Sequence, residues 1–374
     1  MKIKKTTYLS LGSNKGNKSE NLQNAIDAID KKVGSIHKIS SIYKTPSWGF
    51  AGNDFYNICI EVKTNKTPEN LLKILLSIEK ELGRKRNHSE NYANRLIDID
   101  ILLFENQIII SKDLIIPHAK MLDRNFVLVP LAEIAKNVLH PVAKAQIVEC
   151  LQNCTDTSTI SKINTTLIRP IPLEEKYNYI AIEGNIGAGK TSLTQKISED
   201  HNAKIILERF ADNPFLPKFY KDKKRFAFPL EMNFLIDRYQ QLNEDFAQFN
   251  LFKNFIISDY YIFKSLIFAQ VTLSKEEFIL YRKMFNLVYK EIIKPDLYIY
   301  LYQDTERLLE NIKKRARPYE QNIKAKYLDK IQKGYLNFLN VQKGLNVLII
   351  NVSEIDFVAN NNDYQFILEK IKDN

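Results

Sequence analysis

Two aspartates, Asp98 and Asp100, stand one residue apart in the apolar run RLIDIDILLF, residues 95–104. Strand side chains alternate between faces, so Ile97, Ile99, Ile101 and Leu103 are expected on a core side and both carboxylates on the other. Like charges placed so closely repel and raise each other's pKa. Taken alone, the pair reads equally well as protection of a sheet edge against aggregation. The flanks point to chemistry. Upstream, ELGRKRNHSENYANR holds Arg84, Arg86 and Arg95; downstream, IPHAKMLDRNFVLVPLAEI holds His118 and Arg124. Carboxylates ringed by cations suit a polyphosphate with metal ions at its centre. The metals relieve the carboxylate repulsion and the arginines take the phosphate charge.

A second set of residues asks for a phosphate. YIAIEGNIGAGKTSL, residues 179–193, has the G-x-x-x-x-G-K-[ST] spacing through Gly184, Asn185, Ile186, Gly187, Ala188, Gly189, Lys190, Thr191 and Ser192. Backbone N–H groups must approach phosphates closely, which excludes side chains at the glycines. The following helix N-terminus adds partial positive charge. Lys190 is placed to reach the terminal phosphates and the Thr191 hydroxyl to help hold Mg²⁺. Glu208 follows a short apolar strand and is a candidate general base for a hydroxyl, or else a surface ion-pair partner. Arg315 and Arg317, in NIKKRARPYEQ, end a helix stopped by Pro318. They are candidates to close over a transferring phosphate, or else part of a solvated basic face.

The elements that must position these residues fall into two patterns. Residues 6–12 read as a strand and 20–32 as a helix with Leu22, Ile26 and Ile29 on one face. SIHKISSIYKT and NDFYNICIEVKT read as β structure. TPENLLKILLSIEKELG reads as a helix capped by Thr67, with Pro68 in its first turn and Gly83 at its end. With the aspartate strand this gives strand-helix-strand-strand-helix-strand, the split βαβ arrangement. Periodicity is lost from about Thr155 to Lys176, where two prolines and many small polar residues indicate a linker. Beyond it, a strand, glycine-rich turn and helix lead into long helices alternating with the strand candidates NFIISDYY and PDLYIYLY, an α/β parallel-sheet pattern.

Composition narrows the classes further. A chain of 374 residues suggests two domains, and 45% hydrophobic with 26% charged residues is ordinary for a globular protein. The net charge of +10 is spread over scattered lysines without dense basic runs, which argues against nucleic acid as the partner. Charged or amide residues interrupt every apolar run before it reaches membrane-spanning length. The N-terminus lacks an apolar signal core, so a cytoplasmic location is expected. Three cysteines, Cys59, Cys150 and Cys154, do not make a disulfide framework. The last two stand one helical turn apart, a spacing expected to face a core rather than a metal.

The aspartate strand and its flanks, with YLSLGSN and YKTPSWGFAGNDFYN, resemble 6-hydroxymethyl-7,8-dihydropterin pyrophosphokinase over roughly Thr7 to Val142. The resemblance implies that Asp98 and Asp100 hold two Mg²⁺ ions bridging ATP and the pterin hydroxymethyl group. Arg84, Arg86, Arg95, His118 and Arg124 would bind or stabilise phosphates. Thr45, Pro46, Asn57 and Phe126 match pterin-pocket positions. Tyr92-Ala93-Asn94 stands where many members have Trp-Gly-Pro, and Leu76 where some have glutamine near the adenine.

From about Tyr179 to Gln321, GNIGAGKTSL, LERFADNPFLPKFYKDKKRFAFPLEMNFLIDRY and KKRARPYE resemble the deoxynucleoside kinase family, its deoxyadenosine/deoxyguanosine branch in particular. This implies ATP-dependent phosphorylation of a deoxynucleoside 5′-hydroxyl. Glu208 matches the base, Glu231 and Arg238 the helix of the nucleoside pocket, and Arg315 and Arg317 the lid. The family's acidic-Arg-Ser triplet reads Asp259-Tyr260-Tyr261 here. Asp259 keeps a carboxylate for Mg²⁺. Lys264, one turn on, carries a charge but not the fork of an arginine.

The expectation is a bifunctional enzyme using ATP and Mg²⁺ on small-molecule substrates. An α+β ferredoxin-like domain (1–157) is followed by a linker (158–177) and an α/β P-loop kinase domain with a parallel sheet (178–374). The resemblance also implies a homodimer through the kinase domain. Two alternatives for the second domain are a non-catalytic nucleotide-binding or dimerising module, and a nucleoside monophosphate kinase.

Overall fold

The computed structural model describes residues 4–47, 52–84, 94–209, 213–248 and 253–374. Arg86, Tyr92 and Ala93 lie outside the described residues. The chain divides into two units, residues 1–172 and 173–374.

In the first unit, β1 (Lys5–Ser13) leads into α1 (Lys18–Lys32), then β2 (Gly34–Ile39), β3 (Ile42–Thr45), β4 (Phe55–Thr64), α2 (Pro68–Glu81) and β5 (Asp98–Phe104). Asn17 and Thr67 cap the two helices, their side chains accepting from Glu20 and Asn70 backbone N–H groups. A small hairpin, β6 (Ile109–Ile110) and β7 (Ile115–Ile116), precedes α3 (Asn125–Ala135), α4 (Ile147–Gln152) and β8 (Ser161–Ile163). The antiparallel sheet runs β5-β1-β4-β3-β8, with β2 also on β4. One face packs on α1 and α2 through Leu9, Leu11, Ile26, Leu75, Ile78 and Ile99. Tyr8, Cys59, Leu102, Leu103, Val127 and Leu128 form a second cluster under α3. The segment 158–177 is shared between the units. It gives β8 to the first sheet, while Leu173 and Tyr177 sit in the core of the second unit.

The alternation expected along β5 holds to Ile101 and then changes. The β1–β5 register shifts between Tyr8, opposite Leu103, and Leu9, opposite Ile101. This bulge leaves Leu102 without a partner in the register. Leu103 therefore packs with Leu102 under α3, not with the isoleucines, and Phe104 returns to the α1–α2 side. The α4 helix ends at Gln152, so Cys154 lies just beyond it. It still packs beside buried Cys150 in the α3 cluster, and both are free thiols.

The second unit opens with α5 (Leu173–Lys176), β9 (Tyr179–Gly184), α6 (Lys190–His201), β10 (Lys204–Ile206), α7 (Leu216–Lys221) and α8 (Lys223–Ala247). It continues through β11 (Ile256–Ser258), α9 (Phe263–Thr272), α10 (Lys275–Tyr289), β12 (Leu297–Tyr302) and α11 (Thr305–Arg315). It closes with α12 (Ala325–Val341), β13 (Val347–Asn351) and α13 (Asn361–Asp373). The five strands are parallel in the order β10-β11-β9-β12-β13. β9 is buried along its whole length, as a central parallel strand requires. Loops at the carboxyl ends of such strands gather ligand-binding residues.

Candidate active sites

In the first unit, β5 lies antiparallel to β1, with Asp100 opposite Ser10 and Asp98 opposite Gly12. Their carboxylates enter a cavity of about 580 Å³ that Thr45, Pro46, Asn57, Arg95, Arg124 and Phe126 also line. These residues come from β3, β4, β5, the loop before β5 and the start of α3. The Asn57 amide donates to Thr45 Oγ1 at 2.8 Å, which fixes its orientation. A Cβ at Gly12 would come within 3.0 Å of Asn57 Oδ1, so glycine there keeps the amide seated.

Asp98 is held by two arginines. Arg84 Nη1 donates to Oδ1 at 2.5 Å and Arg95 Nη1 donates to Oδ2. Burial, then the charge of Asp98, pushes Asp100 up to about 7. Two side-by-side carboxylates, with Asp100 kept from easy ionisation mainly by its burial, are hard oxygen donors suited to a divalent cation. Mg²⁺ commonly takes one or two carboxylates and completes its shell with phosphate and water. Among the described residues no group of three or more acidic, His or Cys side chains is placed to cage a metal. His118 lies outside the cavity lining. Its Nδ1 accepts from the Lys120 backbone, and burial and Arg124 lower its pKa.

Glu79 is a supporting residue that the motif reading passes over. On the buried face of α2 it accepts from Arg84 Nη1 and, at 2.8 Å, from the Ile99 backbone N–H. It thereby ties Arg84 to β5. Its signal in the sequence is an acid four residues after Leu75 on an apolar stripe. Asn14, buried at the end of β1, exchanges two hydrogen bonds with the Arg95 backbone, at 2.6 and 3.1 Å.

In the second unit, Gly189 adopts φ +84° at the α6 N-terminus, a left-handed conformation that favours glycine. Lys190 Nζ donates to the carbonyls of Gly184 at 3.0 Å and Asn185 at 2.9 Å, which folds the lysine back over the loop. The Asn185 side chain turns away from the loop's mouth and donates to Leu328 O at 2.9 Å. Asp259, just past β11, accepts from the Thr191 hydroxyl on one oxygen and from Glu208 N–H at 2.8 Å on the other. Asp259 and Thr191 are again hard oxygen donors beside the phosphate loop, and they fit Mg²⁺.

Glu208 is gripped from two sides. Arg238 of α8 donates to Oε1 through Nη2 at 2.6 Å and Nε at 3.1 Å, and Lys264 of α9 donates to Oε2 at 2.5 Å. Although burial opposes it, these two cations hold the carboxyl far below the usual range. Tyr260 is fully buried in the core and lies outside the cavity. Lys264 supplies the nearby positive charge instead.

Two cavities meet at the phosphate loop. One, of about 890 Å³, includes Glu208, Glu231, Arg238, Asp259 and Lys264. The other, of about 1480 Å³, includes Gly187 through Ser192, Arg307, Asn311 and residues 355–359. Lys190, Thr191, Arg315 and Arg317 border both. Arg315 and Arg317 each bind Glu320, which keeps the last residue of α11 and the arginine just beyond it together.

A family model described as deoxynucleoside kinase matches residues 180–374. One described as 7,8-dihydro-6-hydroxymethylpterin-pyrophosphokinase matches residues 8–136. Deoxyguanosine kinase of Bacillus subtilis (strain 168) is 38% identical over 199 residues, 52% of this chain and 96% of its own. The 2-amino-4-hydroxy-6-hydroxymethyldihydropteridine pyrophosphokinase of Aquifex aeolicus (strain VF5) is 38% identical over 145 residues, 38% of this chain and 89% of its own. The chain belongs to both families. It is a fusion that joins pyrophosphokinase activity to deoxynucleoside kinase activity. A solved structure of deoxyadenosine kinase from M. mycoides is 27% identical, covering 52% of this chain and 100% of that one, with a TM-score of 0.46.

The pyrophosphokinase domain thus gathers Thr45, Pro46, Asn57, Arg95, Asp98, Asp100, Arg124 and Phe126 around one cavity, with Arg84 bound to Asp98. The kinase domain gathers Lys190, Thr191, Glu208, Glu231, Arg238, Asp259, Arg315 and Arg317 around another. Asn185 serves the loop's shape.

Proposed function

We propose that Asp98 and Asp100 organise transfer of a pyrophosphoryl group from ATP to the hydroxymethyl group of 6-hydroxymethyl-7,8-dihydropterin. The pterin would lie against Phe126, with Asn57 and Thr45 at its polar edge. Arg84, Arg95 and Arg124 would bear the polyphosphate charge while the hydroxyl attacks the β-phosphorus in line and AMP leaves. In both domains Mg²⁺ would be held by the aspartates described, with Thr191 in the kinase. When bound, it would neutralise phosphate charge.

In the kinase domain, ATP would occupy the cavity of residues 187–192 and 355–359, and the deoxynucleoside the cavity of Glu208 and Arg238. The observation that carries this reading is the shared border. Lys190, Thr191, Arg315 and Arg317 stand where the two cavities meet, which is where a phosphoryl group would pass. Glu208, held ionised, would accept the hydrogen bond of the 5′-hydroxyl and align it. With its pKa depressed it is a weak base, which suits a loose transition state that needs little proton removal. Lys264 would take the charge role of the absent arginine.

The kinase domain is proposed to pair with a second copy through α8 and α10, where Ile236, Leu280 and Leu287 are exposed. Among the described residues no helix is long and apolar enough to cross a membrane.

Product analysis with Mg-ATP tests the assignment, since the two chemistries leave different nucleotides. The pterin should yield AMP and a purine deoxynucleoside ADP. Absence of pterin-dependent AMP would overturn the first assignment, and absence of acceptor-dependent ADP the second.

A further inference from the structure

The acceptor cavity contains a carboxylate that phosphoryl transfer does not use. Glu231 lies seven residues before Arg238 on α8, so both side chains face the same way. Seven residues span about 10 Å of helix axis, roughly the length of a nucleoside from its 5′-hydroxyl to the far edge of its base. With Arg238 fixing Glu208 at the hydroxyl end, Glu231 stands at the base end. Phe234 and Phe268 line the cavity with it and offer flat apolar surfaces for a heterocycle.

The surroundings of Glu231 accommodate two protonation states. Thr272 Oγ1 lies 2.9 Å from Glu231 Oε1 and 2.9 Å from the Phe268 carbonyl oxygen. One hydroxyl proton serves only one of these oxygens at a time. With Glu231 ionised, the proton goes to its carboxylate. With Glu231 protonated, Thr272 donates to Phe268 and accepts from the acid until a bound base takes over that one donor. The other facing groups are Arg238 of α8, Lys264 of α9 and Tyr281 of α10, whose hydroxyl donates to the Glu231 backbone carbonyl at 3.4 Å. α7 lines the cavity with Leu216 and Phe219. Burial pushes Glu231 up to about 7, against the Thr272 hydrogen bond and the two cations.

We propose that Glu231 reads the acceptor's base, taking both N–H donors of a guanine edge when ionised and pairing with the acceptor–donor edge of adenine when protonated. This rests on the kinase assignment above. A carboxylate offers only acceptors, which match guanine N1–H and N2–H. A carboxylic acid offers one donor and one acceptor, which match adenine N1 and N6–H. The selectivity for deoxyguanosine over deoxyadenosine then follows the charge on one buried side chain.

The test measures kcat/KM for both purine deoxynucleosides on the full-length protein with Mg-ATP, from pH 6 to 9. Their ratio cancels titrations common to both substrates, such as those of the phosphate site. The ratio is expected to rise toward deoxyguanosine with pH, by up to about tenfold per pH unit for one titrating group. In Glu231→Gln the ratio should lose its pH dependence, because an amide does not titrate here. A measurement on the unmutated protein stands beside it. At pH 8.5, deoxyinosine lacks the N2 amine and should be poorer than deoxyguanosine by about 10- to 100-fold, the worth of a hydrogen bond to a charged group. A ratio independent of pH, the same pH dependence in Glu231→Gln, or deoxyinosine used as well as deoxyguanosine would each overturn the proposal. No ADP with any deoxynucleoside would instead overturn the kinase assignment on which it rests.

Discussion

Lys264 Nζ donates to Glu208 Oε2 at 2.5 Å while Arg238 occupies the other carboxylate oxygen. The pair spans 56 residues of sequence and puts a lysine beside the candidate base. Lys264→Met should lower kcat of the deoxynucleoside kinase by about 10²-fold, the cost of losing one preorganised charge. It should also move the acid limb of the pH–rate profile upward by about 1–3 units, because one of two cations holding Glu208 ionised is gone. An unchanged acid limb would show that Lys264 does not set the state of Glu208.

The same contacts make stability depend on pH. Glu208 has its folded-state pKa depressed, so its contribution is present above the unfolded carboxylate value, about 4.3, and is lost as pH falls from there toward the folded value. Unfolding of the kinase domain should become easier with acid over that window. Glu208→Gln should flatten the slope, which denaturant titrations at several pH values would reveal.

The two activities should be separable by single substitutions. Asp100→Asn should reduce pterin-dependent AMP formation by about 10³-fold or more, reflecting several kcal/mol of lost charge stabilisation. Deoxynucleoside-dependent ADP formation should stay intact. Lys190→Ala should do the reverse, lowering ADP formation by about 10²- to 10³-fold. Chelation of Mg²⁺ should abolish both, and activity surviving in excess chelator would contradict the roles given to the aspartates.

Glu79 anchors Arg84 and β5 from inside the core. Glu79→Leu should cost about 2–4 kcal/mol in the pyrophosphokinase domain, since Arg84 and the Ile99 N–H each lose a buried acceptor. The loss should appear as a lower denaturant midpoint for that domain's transition, with kinase turnover preserved. A midpoint equal to wild type would remove Glu79 from the support of the site.

The residues that were legible in the sequence are those whose chemistry depends on spacing along a single strand or turn. Asp98 and Asp100 share a face because strands alternate, and the phosphate loop is contained within a few residues. Long-range partners were hidden. Nothing near Glu208 announces that Lys264 will reach it, because that contact depends on how α9 packs beside α8. Glu79 appears only as an acid on an apolar stripe, which many helices tolerate at a boundary. The exchange of faces between Leu103 and Phe104 escaped because a bulge is set by the pairing strand. β13 was missed because VLII is short and half exposed at a sheet edge.

The bulge also keys β5 in place. Sliding the strand one residue along β1 would turn the aspartates toward Ile26 and Ile78 and the isoleucines toward the cavity. A slide of two would restore the faces but move the extra residue away from the position opposite Tyr8 and Leu9, where β1 accommodates it. Both neighbouring alignments are therefore misfits. Insertions and deletions inside DIDILLF should be far less tolerated than substitutions, because they would misplace the whole row of carboxylates rather than one side chain.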